Sequence, residues 1–282
     1  MPLLPLNEAI ATHVHDGDSV ALEGFTHLIP FAAGHEIIRQ RRRNLHLIRM
    51  TPDLIYDQLI GMGSAARLTF SWGGNPGVGS LHRLRDAVER QWPQPLALTE
   101  FSHAEFALAY QAGASGMSCG LMPHHADTDL ARVPGAMLRT VRCPFTDRPL
   151  AAVPAINPEV TILHAQQIDG EGNVLIRGIV GAAREAALAA RRVLVTVEER
   201  VERLGADMNA LVLPSWLITA ASIVPGGAYP SYAQGYYPRD NRFYLAWDEI
   251  ARDREAFTAW MERHVLGVPD HAALLRALGV AA

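Results

Sequence analysis

Lysine is absent from this 282-residue chain, and all 25 basic residues are arginine. That excludes a P-loop lysine, a Schiff-base lysine and a pyridoxal-phosphate lysine together. Cysteine is almost absent too. Cys119 and Cys143 are too few and too far apart for a metal ligand set or a C-x-x-C motif, and they read as buried or idle thiols of a cytoplasmic protein. No apolar run approaches the length of a membrane span. The first residues, Met-Pro-Leu-Leu-Pro-Leu-Asn-Glu, show no basic region followed by an apolar core, so a soluble cytoplasmic chain is expected. Basic tracts are missing beyond Arg41-Arg42-Arg43, and the net charge is −4, which argues against a nucleic-acid partner. Internal repeats and low-complexity linkers are missing as well.

What is present is a globular composition, 49% apolar and 19% charged, on a chain long enough to bury a substantial core. The stretch Asp18 to Ile38 organises it. Ser19 to Leu22 reads as a buried strand, Glu23-Gly24-Phe25 as a turn, and Phe31 to Arg39 as a helix with Pro30 near its start. Such a junction is either a tight connection or a ligand site, because open α/β folds place ligands at the carboxyl ends of strands and helix N-termini favour anions. Strand and helix patterns then alternate. Strands are expected at Leu45–Met50, Arg67–Trp72 and Leu96–Thr99, and helices from Pro52, His82 and Ser102. Gly113 to Cys143 reads as a loop-rich excursion. Order returns with strands at 150–154, 160–166, 174–176 and 193–198 and an Ala-rich helix at 181–190. The pattern predicts a mostly parallel sheet covered on both faces. One domain spanning 1–282 is expected, ending in a helical tail from about residue 250.

Several stretches could carry chemistry. Gly73-Gly74-Asn75-Pro76-Gly77-Val78-Gly79 follows a strand, and glycine permits the close backbone approach of an anion nest. The stretch is equally a turn, and its pattern is not the dinucleotide fingerprint. Ser102 and Glu105 have capping-box spacing. Glu100 ends a strand and points toward the same crevice as the glycine loops, where a carboxylate could act as a base or anchor a neighbouring loop. His103 reads as a local hydrogen-bonding group. His124-His125 near Asp127 and Asp129 invite a metal reading, but the spacing does not support one and no metal is expected. Of Glu198 and Glu199, one is expected to face the crevice. The loop from Gly226 to Asn241 carries four tyrosines, a pattern of partner interfaces and, less so, of substrate rims.

Taken together, these stretches resemble the α subunits of the family I CoA-transferases. The segments that carry the resemblance are Ala21 to Pro30, Arg49 to Leu54, Phe70 to Asp86, Val195 to Glu199, and Val224-Pro-Gly-Gly227 through Tyr244. Their order covers roughly residues 5 to 265. Glu23 stands where many members have a second glycine, which leaves room for a looser version of that turn. The resemblance implies a three-layer α/β/α sandwich with an open, mostly parallel sheet. It implies CoA transfer between succinyl-CoA and 3-oxoadipate or a similar dicarboxylic oxo acid, with CoA as a substrate and not a resident cofactor. It also implies a β subunit that carries the nucleophilic glutamate in a Ser-Glu-Asn-Gly context, in an α2β2 assembly. That tetrapeptide does not occur in this sequence. No catalytic residue is therefore expected on this chain, and the cleft walls are expected at Gly24, Phe25, Thr26, Gly73, Gly74, Asn75, Glu100 and Ser102. Two alternatives keep the fold: a ring-opening CoA-thioester hydrolase that uses Glu100, and a non-catalytic sugar-phosphate-binding sandwich.

Overall fold

The computed structural model describes residues 2–123, 129, 132, 137–205 and 208–280. His124, His125 and Asp127 of the metal reading lie outside the described residues. Helix α1 (Leu6–His13) leads into strand β1 (Ser19–Leu22), and α2 (Phe31–Arg39) returns the chain to β2 (Leu45–Ile48). Further units repeat this pattern: α3 (Leu54–Gly61) to β3 (Ala65–Phe70), α4 (His82–Arg90) to β4 (Ala97–Glu100), and then α5 (His103–Ala114).

Two short strands of a small antiparallel sheet lie within the stretch expected as loop-rich, part of which falls outside the described residues. Strands β5 (Cys119–Pro123) and β6 (Arg139–Arg142) both pair with β7 (Pro149–Pro154). All four residues of β6 are exposed, so it lacks the apolar alternation that marks a strand in sequence. Cys119 is exposed and Cys143 partly so, and both are free thiols rather than buried ones.

Strand β8 (Val160–Ile168) re-enters the main sheet and turns at Gly170 into β9 (Val174–Arg177). Helix α6 (Ala183–Ala189), β10 (Arg192–Arg200), β11 (Ala210–Leu213) and β12 (Ala220–Ile223) follow. Helices α7 (Asn241–Arg252), α8 (Arg254–Met261, continued by a π-helical turn, Glu262–Leu266) and α9 (His271–Ala277) end the described chain. None of the described helices is long and apolar enough to cross a membrane.

Seven strands run parallel in the order β12-β10-β8-β1-β2-β3-β4, and β9 and β11 extend the sheet antiparallel beyond β8. Alternate residues of the central strands enter different cores, as a period of two requires. Val20 and Leu22 pack with Leu47 and Leu68 beneath α2, α3 and the C-terminal helices, through Ile37, Ile55, Trp247 and Phe257. Ala21 and Ile48 face the other way, onto Phe106 and Tyr110 of α5 and Ala186 and Ala189 of α6. This is the expected three-layer sandwich. From β1 the chain crosses to β2 on one side, and from β8 it crosses to β10 on the other. The boundary between β1 and β8 is thus a topological switch point, where such sheets leave a crevice at the strands' carboxyl ends.

Candidate active site

The turn after β1 is tight and held in place, not the looser version for which Glu23 leaves room. Gly24 has φ +155°, and a Cβ there would lie 2.8 Å from the carbonyl oxygens of His27 and Leu28. Thr26 and Leu28 also take positive φ, 57° and 51°, which only a strongly held loop imposes on such residues. The restraints are visible. The buried Arg49, just past the end of β2, donates to the Gly24 carbonyl oxygen and to Asp53. Tyr56 on α3 accepts from the Leu22 amide at 3.0 Å and donates to the Ile48 carbonyl at 2.8 Å, so one hydroxyl ties β1 to β2. On the far side, the Leu28 amide donates to the Tyr232 carbonyl, and Ser231 donates to the Thr26 carbonyl at 3.1 Å.

A cavity of about 540 Å³ opens at this switch point. Glu23 and Phe25 of the turn form one wall, with Met50 and Thr51 at the end of β2. Tyr110 and Gln111 of α5, Ile179 before α6 and Glu185 in its first turn close the other side. Glu23 is buried, and its Oε1 accepts from the Tyr110 hydroxyl at 2.8 Å. Burial pushes the Glu23 carboxyl above its ordinary range, against the pull of Arg49 and of the hydrogen bond from Tyr110. His27, behind the turn, is held down to about 4 by burial and accepts from the Gln234 amide at 3.1 Å.

A second cavity of about 630 Å³ lies along the same edge, beneath the tyrosine loop. Its floor is a buried knot. Glu198 bonds His164 at 2.6 Å and accepts from the Tyr237 hydroxyl at 2.6 Å and from the Gly226 amide at 2.8 Å. Burial alone would raise the Glu198 carboxyl; the bonds from His164, Tyr237 and Gly226 outweigh it and hold the group below the usual range. Glu199 is exposed and accepts from Tyr236 at 2.6 Å and Gln167 at 2.8 Å. Glu198 is thus the inward-facing member of the pair. Tyr229 donates to Asp240, and Tyr232 lies 4.5 Å from the His27 ring, so with Tyr236 and Tyr237 all four tyrosines have partners within the fold.

The residues expected at the cleft fall into three groups. Phe25 lines the switch-point cavity; Gly24 does not, and packs instead against the backbone of His27 and Leu28, while Thr26 bonds Ser231 behind the turn. Gly73, Gly74 and Asn75 stand at the same sheet edge but outside that cavity. The Asn75 amide side chain donates to the Tyr244 carbonyl at 2.9 Å, while its backbone N–H closes onto Gly79 at 2.8 Å. Ser102 is the N-cap of α5 in a full capping box with Glu105. Glu100 ends the edge strand β4, exposed and outside both cavities. His103 bonds Ser71 at 3.2 Å, a local role as expected. Arg49, Tyr110 and Glu23 were not among the expected walls. Arg49 had one signal, the four-residue spacing to Asp53; Tyr110 had none, because only the topology brings α5 over β1.

The pattern that defines the coenzyme A transferase family matches residues 4–221. The chain belongs to the coenzyme A transferase family. The A-type subunit of the 3-oxoadipate CoA-transferase of Pseudomonas knackmussii is 60% identical over 95% of each chain. The A-type subunit of the glutaconate CoA-transferase of Acidaminococcus fermentans is 30% identical over 98% of this chain and 92% of its own. The crystal structure of that glutaconate enzyme superposes with a TM-score of 0.90 at 28% identity, covering 99% of this chain and 93% of the other. A chain of the decarboxylase AibA/AibB superposes with a TM-score of 0.80 at 31% identity, over 93% and 98%. The protein is an enzyme chain of the CoA-transferase class, with the fold of the α-type subunit. The hydrolase and sugar-phosphate alternatives are not favoured by these relatives, and the exposed position of Glu100 adds nothing to the first.

Proposed function

We propose that this chain is the α subunit of a CoA-transferase that moves CoA between succinyl-CoA and 3-oxoadipate or a similar dicarboxylic oxo acid. The observation that carries the reading is the 60% identity over 95% of both chains to the A-type subunit of an enzyme named for 3-oxoadipate. The attacking glutamate comes from a β subunit, since its Ser-Glu-Asn-Gly context is missing here.

The chemistry is ping-pong. The β-subunit carboxylate attacks the thioester carbonyl, forming a mixed anhydride and expelling CoA thiolate. The thiolate attacks the glutamyl carbonyl of that anhydride, forming a glutamyl-CoA thioester and releasing the first acid. The acceptor carboxylate then reverses both steps. Thioester energy is kept throughout because each intermediate is itself an activated acyl group.

In this reading the α chain supplies a preformed wall. A rigid turn at the strand ends positions the thioester and needs no reorganisation as charge develops. Gly24, Phe25 and Thr26 lie on that turn, and Gly73, Gly74, Asn75, Glu100 and Ser102 extend the wall along the sheet edge in the assembled α2β2 enzyme. Co-expression with and without the β subunit tests the proposal. Exchange of CoA between succinyl-CoA and 3-oxoadipate is expected only from the pair, and full activity of the isolated chain would refute it.

A further inference from the structure

The switch-point cavity has the wrong charge for a carboxylic acid. Two of its lining groups are carboxylates, Glu23 and Glu185, and none of its lining residues, among those described, is an arginine. Lysine is absent from the chain altogether. The nearby cation is turned away: Arg49 is buried and commits its guanidinium to the Gly24 carbonyl and to Asp53. The remaining walls are apolar, from Phe25, Met50 and Ile179, with the amide of Gln111 and the hydroxyl of Thr51 among them. Tyr110 spends its hydroxyl hydrogen on Glu23.

An anion placed here would meet two carboxylates and no lining cation, the buried Arg49 being already engaged by Asp53, Gly24 and the charge of Glu23, which is unfavourable in a site of low polarity. A neutral chain bearing amide N–H groups meets the opposite situation: apolar surface for its methylenes and a charged acceptor for its donor. Resting on the transferase reading above, we propose that Glu23 is a specificity residue, making this cavity select the uncharged amide-bearing arm of an acyl-CoA and reject the free carboxylates of the acid substrate. The two substrates are thereby sorted: the thioester's arm lies against this chain, and the cations for the dicarboxylic acid come from outside this cavity.

The test uses the assembled α/β enzyme. Glu23→Gln keeps the shape and one acceptor oxygen but removes the charge. It is expected to raise KM for succinyl-CoA by roughly five- to tenfold, the usual difference between a charged and a neutral acceptor. KM for 3-oxoadipate should stay within about twofold, and kcat should change little. A change confined to the acid, or no change in either constant, overturns the proposal. If Glu23→Gln fails to fold, Gln111→Arg serves instead, because Gln111 is exposed on α5 at the cavity's mouth. That variant places a cation at the cavity and should make 3-oxoadipate a stronger competitive inhibitor against succinyl-CoA, by about fivefold; unchanged inhibition overturns the proposal. Calorimetry separates this inference from the reading beneath it. Pantetheine should bind the wild-type complex competitively with succinyl-CoA while succinate does not enter the cavity, whether or not exchange occurs. Lack of exchange in the wild-type complex would count against the transferase reading alone, and succinate displacing pantetheine would count against the role of Glu23 alone.

Discussion

The Arg49 guanidinium and the Gly24 carbonyl oxygen are bonded beneath the crevice, joining the end of β2 to the turn that follows β1. The same guanidinium lies 5.5 Å from the Tyr56 ring and 3.2 Å from Asp53, so it is held from below as well. A charge buried this deeply is favourable only with its partners in place. The turn is consequently a rigid piece of the site and not a passive connection.

Gly24→Ala tests that rigidity. The added Cβ would meet two backbone carbonyl oxygens at 2.8 Å, and neither can move without undoing the loop that Tyr232 and Ser231 hold. A loss of about 1–3 kcal/mol of stability is expected from strain at such a backbone position. CoA exchange should fall far more than stability does, because the wall itself is displaced. Thermal melting of the chain and exchange assays of the assembled enzyme, run side by side, check both expectations.

Asp57 carries a pH signature of one sign. It is fully buried on α3, and its Oδ1 accepts from the Arg83 and Leu84 amides at 2.8 and 2.9 Å, fastening the start of α4. Burial pushes its carboxyl up to about 6, from an ordinary value of 3.8. The folded state therefore holds the proton more tightly than the unfolded chain. Its contribution is complete below about pH 4 and is lost as pH rises through 6. Asp57→Asn keeps the Oδ1 acceptor and removes the titration. The variant should show no decline in stability attributable to this site, where wild type loses about 2–3 kcal/mol between pH 4 and 7. Urea unfolding across that range measures the difference.

Much of the molecule is legible from its sequence, for physical reasons. Strand Ser19–Leu22 and helix Phe31–Arg39 have the limits expected of them, because an apolar run broken by Gly24 and a Pro30 at a helix start are local signals. The capping box at Ser102 is legible for the same reason. Helix Asn241–Arg252 is hidden: it buries only Tyr244, Trp247 and Ala251, and it follows a loop of tyrosine and proline that gives no start signal beyond Asp240. Strands Ala210–Leu213 and Ala220–Ile223 are four residues each, too short to show a period, and are recognisable only through pairing with β9 and β10. The site divides along the same line. Gly24 and Phe25 declare themselves in a turn, whereas the Glu23–Tyr110 contact spans 87 residues and exists only once α5 crosses β1.

His271 gives the opposite pH signature. It is buried on α9, and its ring bonds the Gly226 carbonyl at 2.8 Å, which ties the C-terminal helix to the tyrosine loop. Burial holds it down to about 4, from an ordinary value of 6.5. Here the unfolded chain binds the proton more tightly, so stability is complete above about pH 6.5 and falls as the pH drops through 4. The loss amounts to about 3 kcal/mol for this group. His35 lies 6.1 Å away, is lowered by burial in the same direction, and adds to the acid sensitivity. Melting temperatures taken between pH 7 and 4 should drop steeply for wild type. His271→Gln should start lower at pH 7 and show a shallower slope.

Tyr237→Phe tests the knot that anchors the tyrosine loop. The hydroxyl donates to Glu198 at 2.6 Å and accepts from the Ala228 amide at 3.0 Å, so its removal strips a donor from a buried carboxylate and an acceptor from a buried amide. Glu198 keeps His164 and the Gly226 amide, which leaves the loop's root attached but its middle loose. A cost of about 1–3 kcal/mol follows from unsatisfied buried groups, or a melting temperature lower by about 2–4 °C for each kcal/mol in a chain of this size. The loop also braces the turn after β1, through Tyr232 and Ser231, so looseness should reach the cleft. Hydrogen exchange should accordingly quicken at the Leu28 amide as well as within residues 226–240. Faster exchange confined to the tyrosine loop, with Leu28 unchanged, would show that the two segments are held independently.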